Sequence, residues 1–380
     1  MAIEIKQVTT NRELKAFVQF PYNHFKGNAY FVPPLFFEEF NNLHWKKNPA
    51  FEYCEAAYFL AKKNGKVVGR IACIINRKVQ EKTGKAMARF NWVDFVEDKN
   101  VSRLLFEAAE NWAKEKGMTH IQGPAGFTNF DPAAMLVKGF DQPITVAGIY
   151  NYPYYPEHLE KLGYETEEDW VEYEIQVPKA VPGKVIRLAD MIEKRYKVRQ
   201  AKINGKTDMM KYASGVFDVI AEAYEELYEF VPLSKSQIEK YTKKYFGFLR
   251  PDFLSIIVDE NDRVVAFGIA MPSVTKALQK AKGKLFPLGW WHLRSAMKKN
   301  NRGELMLIGV LPEYQKKGII AICFKNIMQA FIDAGIESVE TNPELVSNKK
   351  VQLLWSNYEW RKHKWRKSYV KKISDSDIAI

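Results

Sequence analysis

Apolar and polar residues alternate through Tyr58 to Ala61 and again through Lys66 to Ile75, a period of two that predicts strands. Between them stands Asn64-Gly65, a dipeptide that tolerates the positive φ angles of a tight hairpin. A second strand pair is predicted from Leu254 to Val258 and from Val264 to Met271, around Asn261-Asp262. The two hairpins share an order, since Asn64 precedes Val67-Val68 as Asn261 precedes Val264-Val265. A further strand follows each, Phe90 to Val96 and Glu304 to Val310. Next comes a helix with apolar spacing near 3.6, Val101 to Lys116 and Gly318 to Ala334. Both helices end at a glycine suited to a left-handed cap, Gly117 and Gly335. Both then enter a short strand, His120 to Gly123 and Ser338 to Thr341.

The recurrence predicts an internal duplication in an α/β (α+β) chain, with a mixed central sheet flanked by helices in each half. Pro178-Lys179-Ala180-Val181-Pro182-Gly183 reads as a linker that leads into a short amphipathic helix. The expected division is therefore 1–178, a linker helix over 179–197, and 198–380. A length of 380 residues accommodates two domains. Apolar residues at 47% and charged residues at 27% exclude a disordered or low-complexity chain. Lys and Arg total 57 against 45 acids, and the resulting +12 favours an anionic partner without saying which. Cys54, Cys73 and Cys323 are far apart, match no metal or redox spacing, and are expected in the core. The six histidines are scattered, so no metal site is expected, and His292 is the one worth testing. The start lacks a signal-like apolar run and no segment reads as a membrane span, which gives a cytoplasmic expectation.

The stretch richest in chemistry is Leu305 through Ile320. A buried strand runs into a polar turn, and a helix begins near Gly318. The first N–H groups of a helix lack intrahelical partners and, with the positive end of the dipole, form a site for phosphate. Gly318 allows close backbone approach, and Lys316 and Lys317 add positive charge at the rim. An ordinary β–turn–α joint with solvated lysines is the plainer alternative. After the equivalent strand of the first half come Glu97-Asp98-Lys99-Asn100, with no glycine and two carboxylates that oppose a diphosphate.

Val310-x-Pro312-Glu313-Tyr314-Gln315-Lys316-Lys317-Gly318 resembles the acyl-CoA signature of the GNAT superfamily, Gln/Arg-x-x-Gly-x-Gly/Ala after a strand. The resemblance covers roughly residues 200–372 and implies two tandem GNAT-like domains with acyl-CoA or acetyl-CoA as co-substrate. It assigns the diphosphate cradle to the amides of Gln315, Lys316, Lys317, Gly318, Ile319 and Ile320. It lays the pantetheine arm along Ile308, Gly309 and Val310. Ile320 departs from the motif, so either the diphosphate sits farther out or this side chain turns inward. Leu159 through Tyr164 resembles the closing segment of a GNAT domain, and the first half, without a cradle, would shape the substrate pocket as in tandem enzymes such as N-myristoyltransferase. Val32-Pro33-Pro34-Leu35, Lys47 through Phe51, Tyr152 through Pro156 and Thr341 through Leu345 look like a family of bacterial tandem GNAT proteins linked to sphingolipid metabolism, which includes bacterial ceramide synthase.

The resemblance implies direct attack of an amine on a thioester, which needs a base and an acid. Glu304 opens the cofactor strand, where GNAT enzymes often place a base, although a solvated strand-end charge is an equal reading. Glu340 is an alternative base. Asn342 and Asn348 stand where the family uses amides toward the cofactor, or else they serve as turn and helix caps. Trp355 occupies the place of the family's acid tyrosine, and Tyr358, on the same helical face, is the substitute. Between hairpin and cofactor strand lies an insertion, Lys276 to Arg302, with Leu285-Phe286-Pro287-Leu288-Gly289-Trp290-Trp291 between cationic flanks. It suits either a packed lid or a membrane headgroup boundary, which would make the protein peripheral at the inner membrane face. The basic run Arg361 to Lys367, with Lys371 and Lys372, offers a nucleic-acid patch, but a solvated last strand or a contact for the cofactor's 3′-phosphate is simpler. The leading expectation is an acyl-CoA-dependent N-acyltransferase acting on a primary amine, with a lipid-like sphingoid acceptor as the candidate. Its rivals are an aminoacyl-tRNA-dependent transferase and a non-catalytic GNAT-fold scaffold at a membrane surface.

Overall fold

The computed structural model describes residues 2–374 apart from 228, 247, 248, 353, 356 and 357. The N-terminal half runs β1 (Ile3–Gln7), α1 (Asn11–His24), α2 (Phe36–Leu43), β2 (Cys54–Lys63), β3 (Lys66–Asn76), α3 (Arg77–Thr83), β4 (Met87–Phe95), α4 (Lys99–Glu115), β5 (His120–Gly123), β6 (Met135–Lys138), α5 (Tyr154–Lys161) and β7 (Glu165–Gln176). After α6 (Gly183–Tyr196) a matching succession follows: β8 (Arg199–Gln200), α7 (Lys206–Ala223), α8 (Lys235–Tyr241), β9 (Leu254–Val258), β10 (Val264–Pro272), α9 (Thr275–Ala281), α10 (Gly289–Lys298) and β11 (Arg302–Val310). It closes with α11 (Pro312–Gln315), α12 (Ile320–Asp333), β12 (Ser338–Thr341), β13 (Glu344–Leu345), α13 (Lys349–Gln352) and β14 (Trp360–Lys372).

The predicted hairpins form, but with different turns. Asn64 and Gly65 both have positive φ, 55° and 73°, and Lys63 pairs with Lys66 across a two-residue loop. In the second hairpin Asp262, not Asn261, is left-handed at φ 63°. There the Asp259 carboxylate accepts the N–H groups of Asn261 and Arg263, at 2.9 and 3.0 Å.

Among the described residues the strands join in one sheet, ordered β1-β2-β3-β4-β5-β14-β7-β12-β11-β10-β9-β8. β4–β5 and β11–β12 are its parallel pairs. At the centre the last strand of each half sits in the other half's territory: β14 pairs β5 and β6, while β7 pairs β12 and β13. β7 and β14 also pair with each other along most of their length. A cut at 178 divides the sequence but not the sheet.

One helix in each half seals the apolar face. Val101 and Leu105 of α4 press onto Gly69, where a Cβ would lie 2.7 Å from Leu105 Cδ1. Cys323 and Ile327 of α12 press onto Gly268, with the equivalent distance to Ile327 Cδ1 at 2.6 Å. All three cysteines are free and buried. The amphipathic stretch after the proline-rich segment packs against α12 with Ala189 and Ile192 inward. No helix among the described residues is long and apolar enough to cross a membrane.

Candidate functional site

β11 ends at Val310, and Pro312, which needs no amide partner at a first helical position, opens the single turn α11. The N–H groups of Lys316 and Lys317 both donate to the Tyr314 carbonyl. Gly318 then turns left-handed at φ 73°, and α12 starts at Ile320, two residues past the expected start. No side chain caps α12. Ala321 donates to Gly318 O and Ile322 to Ile319 O, but the amides of Gly318, Ile319 and Ile320 find no acceptor among the described residues. An uncapped start at the positive end of a 14-residue helix is a place that could hold an anion. Ile319 is fully buried, its amide included, and Ile320 turns inward along two apolar clusters, so the half-exposed Gly318 and Ile320 are what the turn offers to solvent. Lys316 is exposed, whereas Lys317 lies over the rings of Tyr314 and Tyr196, at 4.1 and 5.5 Å. Space at Gly318 is limited, since a Cβ there would lie 3.1 Å from Ile192 Cδ1.

A gap opens beside this joint. β11 and β12 pair from Arg302↔Ser338 to Leu305↔Thr341 and no further. The chain then turns off at Asn342-Pro343 to pair as β13 with β7, which leaves Met306 to Val310 without that neighbour. A bulge marks the parting, since Ile269 faces Leu307 but Ala270 faces Leu305. Asn342 Nδ2 donates to Met306 O at 2.6 Å, and the Tyr224 hydroxyl donates to Ile308 O at 2.8 Å. Gly309 is required by Phe267, whose Cε1 would lie 2.6 Å from a Cβ. Ile308 to Val310, the turn at Gly318 and Asn342 therefore share one strip. Asn348 stands before α13, and its N–H donates to Leu345 O at 3.0 Å.

Glu304 lies at the closed end of the gap and is not a solvated strand-end charge, being 1% exposed. Its Oε1 accepts from the Ser273 hydroxyl at 2.6 Å and from Thr275 at 3.4 Å, while Oε2 accepts from the Val146 amide of the first half at 3.4 Å. Burial pushes its pKa up; the Ser273 hydrogen bond opposes this, the nearby Glu340 charge adds to it, and the carboxyl reaches about 7.

Register sets Glu304, Glu340, Glu174 and Arg361 side by side across β11, β12, β7 and β14, and hence on one face. The basic run of the last strand is solvated only in part: Arg361, Lys362 and Lys372 are exposed, but β14 lies in the middle of the sheet and its centre is covered. Lys364 and Arg366 are fully buried. Lys364 Nζ binds Glu340 at 2.8 Å and Glu172 at 2.9 Å. Arg366 binds Glu172, and Arg302 and Arg361 bind Glu174. Burial pushes Glu172 up, but Arg366 and Lys364 reverse this and hold it at about 2. His363 is lowered to about 4, first by burial and then by Lys364. Glu172, Glu340 and His363 have the spacing of metal ligands, yet the Lys364 ammonium bonds to both carboxylates and supplies the cation there. Sequence reasoning missed this network. Its trace is Glu172-x-Glu174 alternating with Val171, Tyr173 and Ile175, matched by Lys364-x-Arg366.

Tyr358 does not share a helical face with Trp355. α13 ends at Gln352, and Tyr358 lies in a bend, its N–H donating to Trp355 O at 3.0 Å. Its half-buried ring packs on an apolar cluster that Ile308 and Ile320 also border, and burial raises its pKa. Trp355 is structural: Nε1 donates to Glu344 at 3.1 Å and the ring meets Phe324 edge-on. His292 is on α10 against the Trp291 ring.

Residues 217–355 match the model of the acetyltransferase (GNAT) family. Protein YghO of Escherichia coli (strain K12) is 28% identical over 334 residues, covering 87% of this chain and 84% of that relative. A protein named bacterial ceramide synthase, from Caulobacter vibrioides (strain NA1000 / CB15N), is 28% identical over 325 residues and covers 82% of each. A solved tandem GNAT protein from the clavulanic acid biosynthesis pathway superposes on 99% of this chain and 100% of its own with a TM-score of 0.57. At 11% identity, that likeness is one of fold.

Proposed function

We propose that this chain, a tandem GNAT-fold protein whose C-terminal half contains a GNAT-family acetyltransferase domain, transfers an acyl group from acyl-CoA to a primary amine. The observation that carries this reading is the uncapped joint at Gly318, three unspent amides at a helix start beside a strand edge that has lost its neighbour. The amides of Gly318 and Ile320, the half-exposed residues of the turn, hold the diphosphate, with Gln315, Lys316 and Lys317 around them. Ile308 to Val310 guide the pantetheine arm, and Asn342 braces the gap. The amine nitrogen attacks the thioester carbonyl, an N–C bond forms and the C–S bond breaks. Glu304 takes the amine proton, a role that suits a carboxyl titrating near 7. Tyr358, protonated at neutral pH, gives a proton to the departing thiolate and regains one from solvent.

The acceptor in this reading is a lipid-like amine such as a sphingoid base. Its support is the similarity, over 82% of the chain, to the protein named bacterial ceramide synthase. The burial of Lys364 and Arg366 weakens the reading of the last strand as a nucleic-acid patch. The test is thiol release from short and long acyl-CoAs in the presence of simple amines and sphingoid bases. Amine-dependent release with long-chain donors and sphingoid bases is expected, and no release with any pair overturns the proposal.

A further inference from the structure

We infer that the insertion between β10 and β11 is a wedge that docks on an anionic phospholipid bilayer. Phe286, Leu288, Trp290 and Trp291 enter the acyl-chain boundary, while Lys282, Lys284, Arg294, Lys298 and Lys299 meet the headgroup phosphates. These four apolar side chains are 73%, 61%, 47% and 54% exposed, and all fall within six consecutive residues. Phe37 extends the patch, because the amide of its neighbour Phe36 donates to Gly283 O at 2.8 Å.

The exposure is built in, since the loop is clamped at its base. At Gly283 a Cβ would lie 2.1 Å from Tyr22 Cε1, and at Gly289 one would lie 2.0 Å from Lys284 O. Lys284 N–H donates to Ala281 O and Trp290 N–H to Leu285 O, at 2.9 and 2.8 Å. Gln279 fastens α9 to the carbonyls of Ala29 and Phe31, at 2.8 and 3.2 Å. With its backbone fixed this way, the loop cannot tuck the four side chains into the core.

Charge selects the occupant. Between Asp262 and Glu304 the sequence holds no acid. The five named cations form no ion pair among the described residues, so each is available to an external phosphate. Arg294 and Lys298 line a cleft with Met297 and Arg250. Arg250 is already held by Asp252 and by Met297 O, which leaves Arg294 and Lys298 to bind a headgroup. Indole rings between lysines and arginines match the layered polarity of a bilayer interface, apolar within and anionic at the rim. The wedge is rooted at the proposed base, as Thr275 at the start of α9 donates to Glu304. In that respect alone it rests on the acyl-transfer reading, because a lipid-like amine held in the leaflet would then reach Glu304 from the docked side.

The test is co-sedimentation of the full chain with vesicles of phosphatidylcholine containing phosphatidylglycerol, and with pure phosphatidylcholine. Binding to the mixed vesicles is expected, weakening at least about tenfold on the neutral ones. Combining Phe286→Ser, Leu288→Ser, Trp290→Ser and Trp291→Ser weakens it by at least about 100-fold. Each of Lys284→Gln, Arg294→Gln and Lys298→Gln costs about fivefold. All variants keep the wild-type melting temperature, since the replaced groups are exposed. A wild type that stays in the supernatant, serine variants that bind normally, or a wild-type dimer that the serine variant breaks in sedimentation velocity would each overturn the inference. The assay contains neither CoA nor amine, so its failure leaves the acyl-transfer reading standing, and the reverse holds too.

Discussion

The two halves place one strand–helix joint in two chemical states. Register aligns β4 with β11 residue for residue, since Met87↔His120 and Arg89↔Gln122 correspond to Arg302↔Ser338 and Glu304↔Glu340. At the position of Glu304 the first half carries Arg89, buried, bonded to Gly126 O at 3.1 Å and paired with Glu229 at 2.6 Å. Beyond the strand, Asp98 caps α4 by accepting the Asn100 amide at 3.0 Å and pairs with Lys63 at 3.0 Å. The first joint satisfies its helix start with a carboxylate of its own. The second has no such cap and leaves three amides without an acceptor among the described residues. A shared fold therefore does not imply a shared site, because the capping residue decides whether the helix start is available to an anion.

The largest expected effect comes from removing the buried carboxylate that the first half, with Arg89, lacks at this position. Glu304→Gln lowers kcat/KM by about 100-fold or more. Because the Glu304 carboxyl titrates at about 7 and its ionised form is the base, wild-type kcat/KM rises as pH rises toward 7 and levels off above it. The variant shows a flat profile there, and a limb that survives the substitution removes Glu304 from the role of base. Smaller effects follow at the joints. Asp98→Ala and Ile320→Ala each lower stability in urea by about 1 kcal/mol, the first through a lost cap and the second through lost packing. Neither changes CoA affinity more than about twofold, because Asp98 caps a joint with no glycine turn and the Ile320 side chain faces the core. A second CoA site gained in Asp98→Ala would break the contrast drawn between the halves.

Much of the fold was legible because its signals are local. β5, β9 and β12 form over the residues their patterning predicts, and Gly117 and Gly335 adopt φ of 80° and 69° at the ends of their helices. What could not be read was pairing between distant segments. Nothing near Lys364 reveals that Glu172, almost 200 residues earlier, will neutralise it in a buried strand exchange, so the basic run looked solvated. Glu304 could be nominated by its place on the strand, but its burial depends on Val146 from the other half and on Ser273. The inward turn of Ile320 was one of two readings left open by the motif, and tertiary packing decided it. Tyr358 was placed on one helical face with Trp355, but Leu354 and Trp355 lie in a tight 3-10 turn and Tyr358 in a bend beyond it.

In the proposed reading one joint per chain, and only the second, takes the diphosphate of CoA. Calorimetric titration of CoA into the wild-type chain and into Gly318→Glu tests it most directly. Glutamate adds a side chain where φ is 73° and Ile192 lies close, and it brings a negative charge beside the cradle. One site is expected in the wild type and none in the variant, with the variant still folded by circular dichroism. Two sites in the wild type, or undiminished binding in Gly318→Glu, would contradict it.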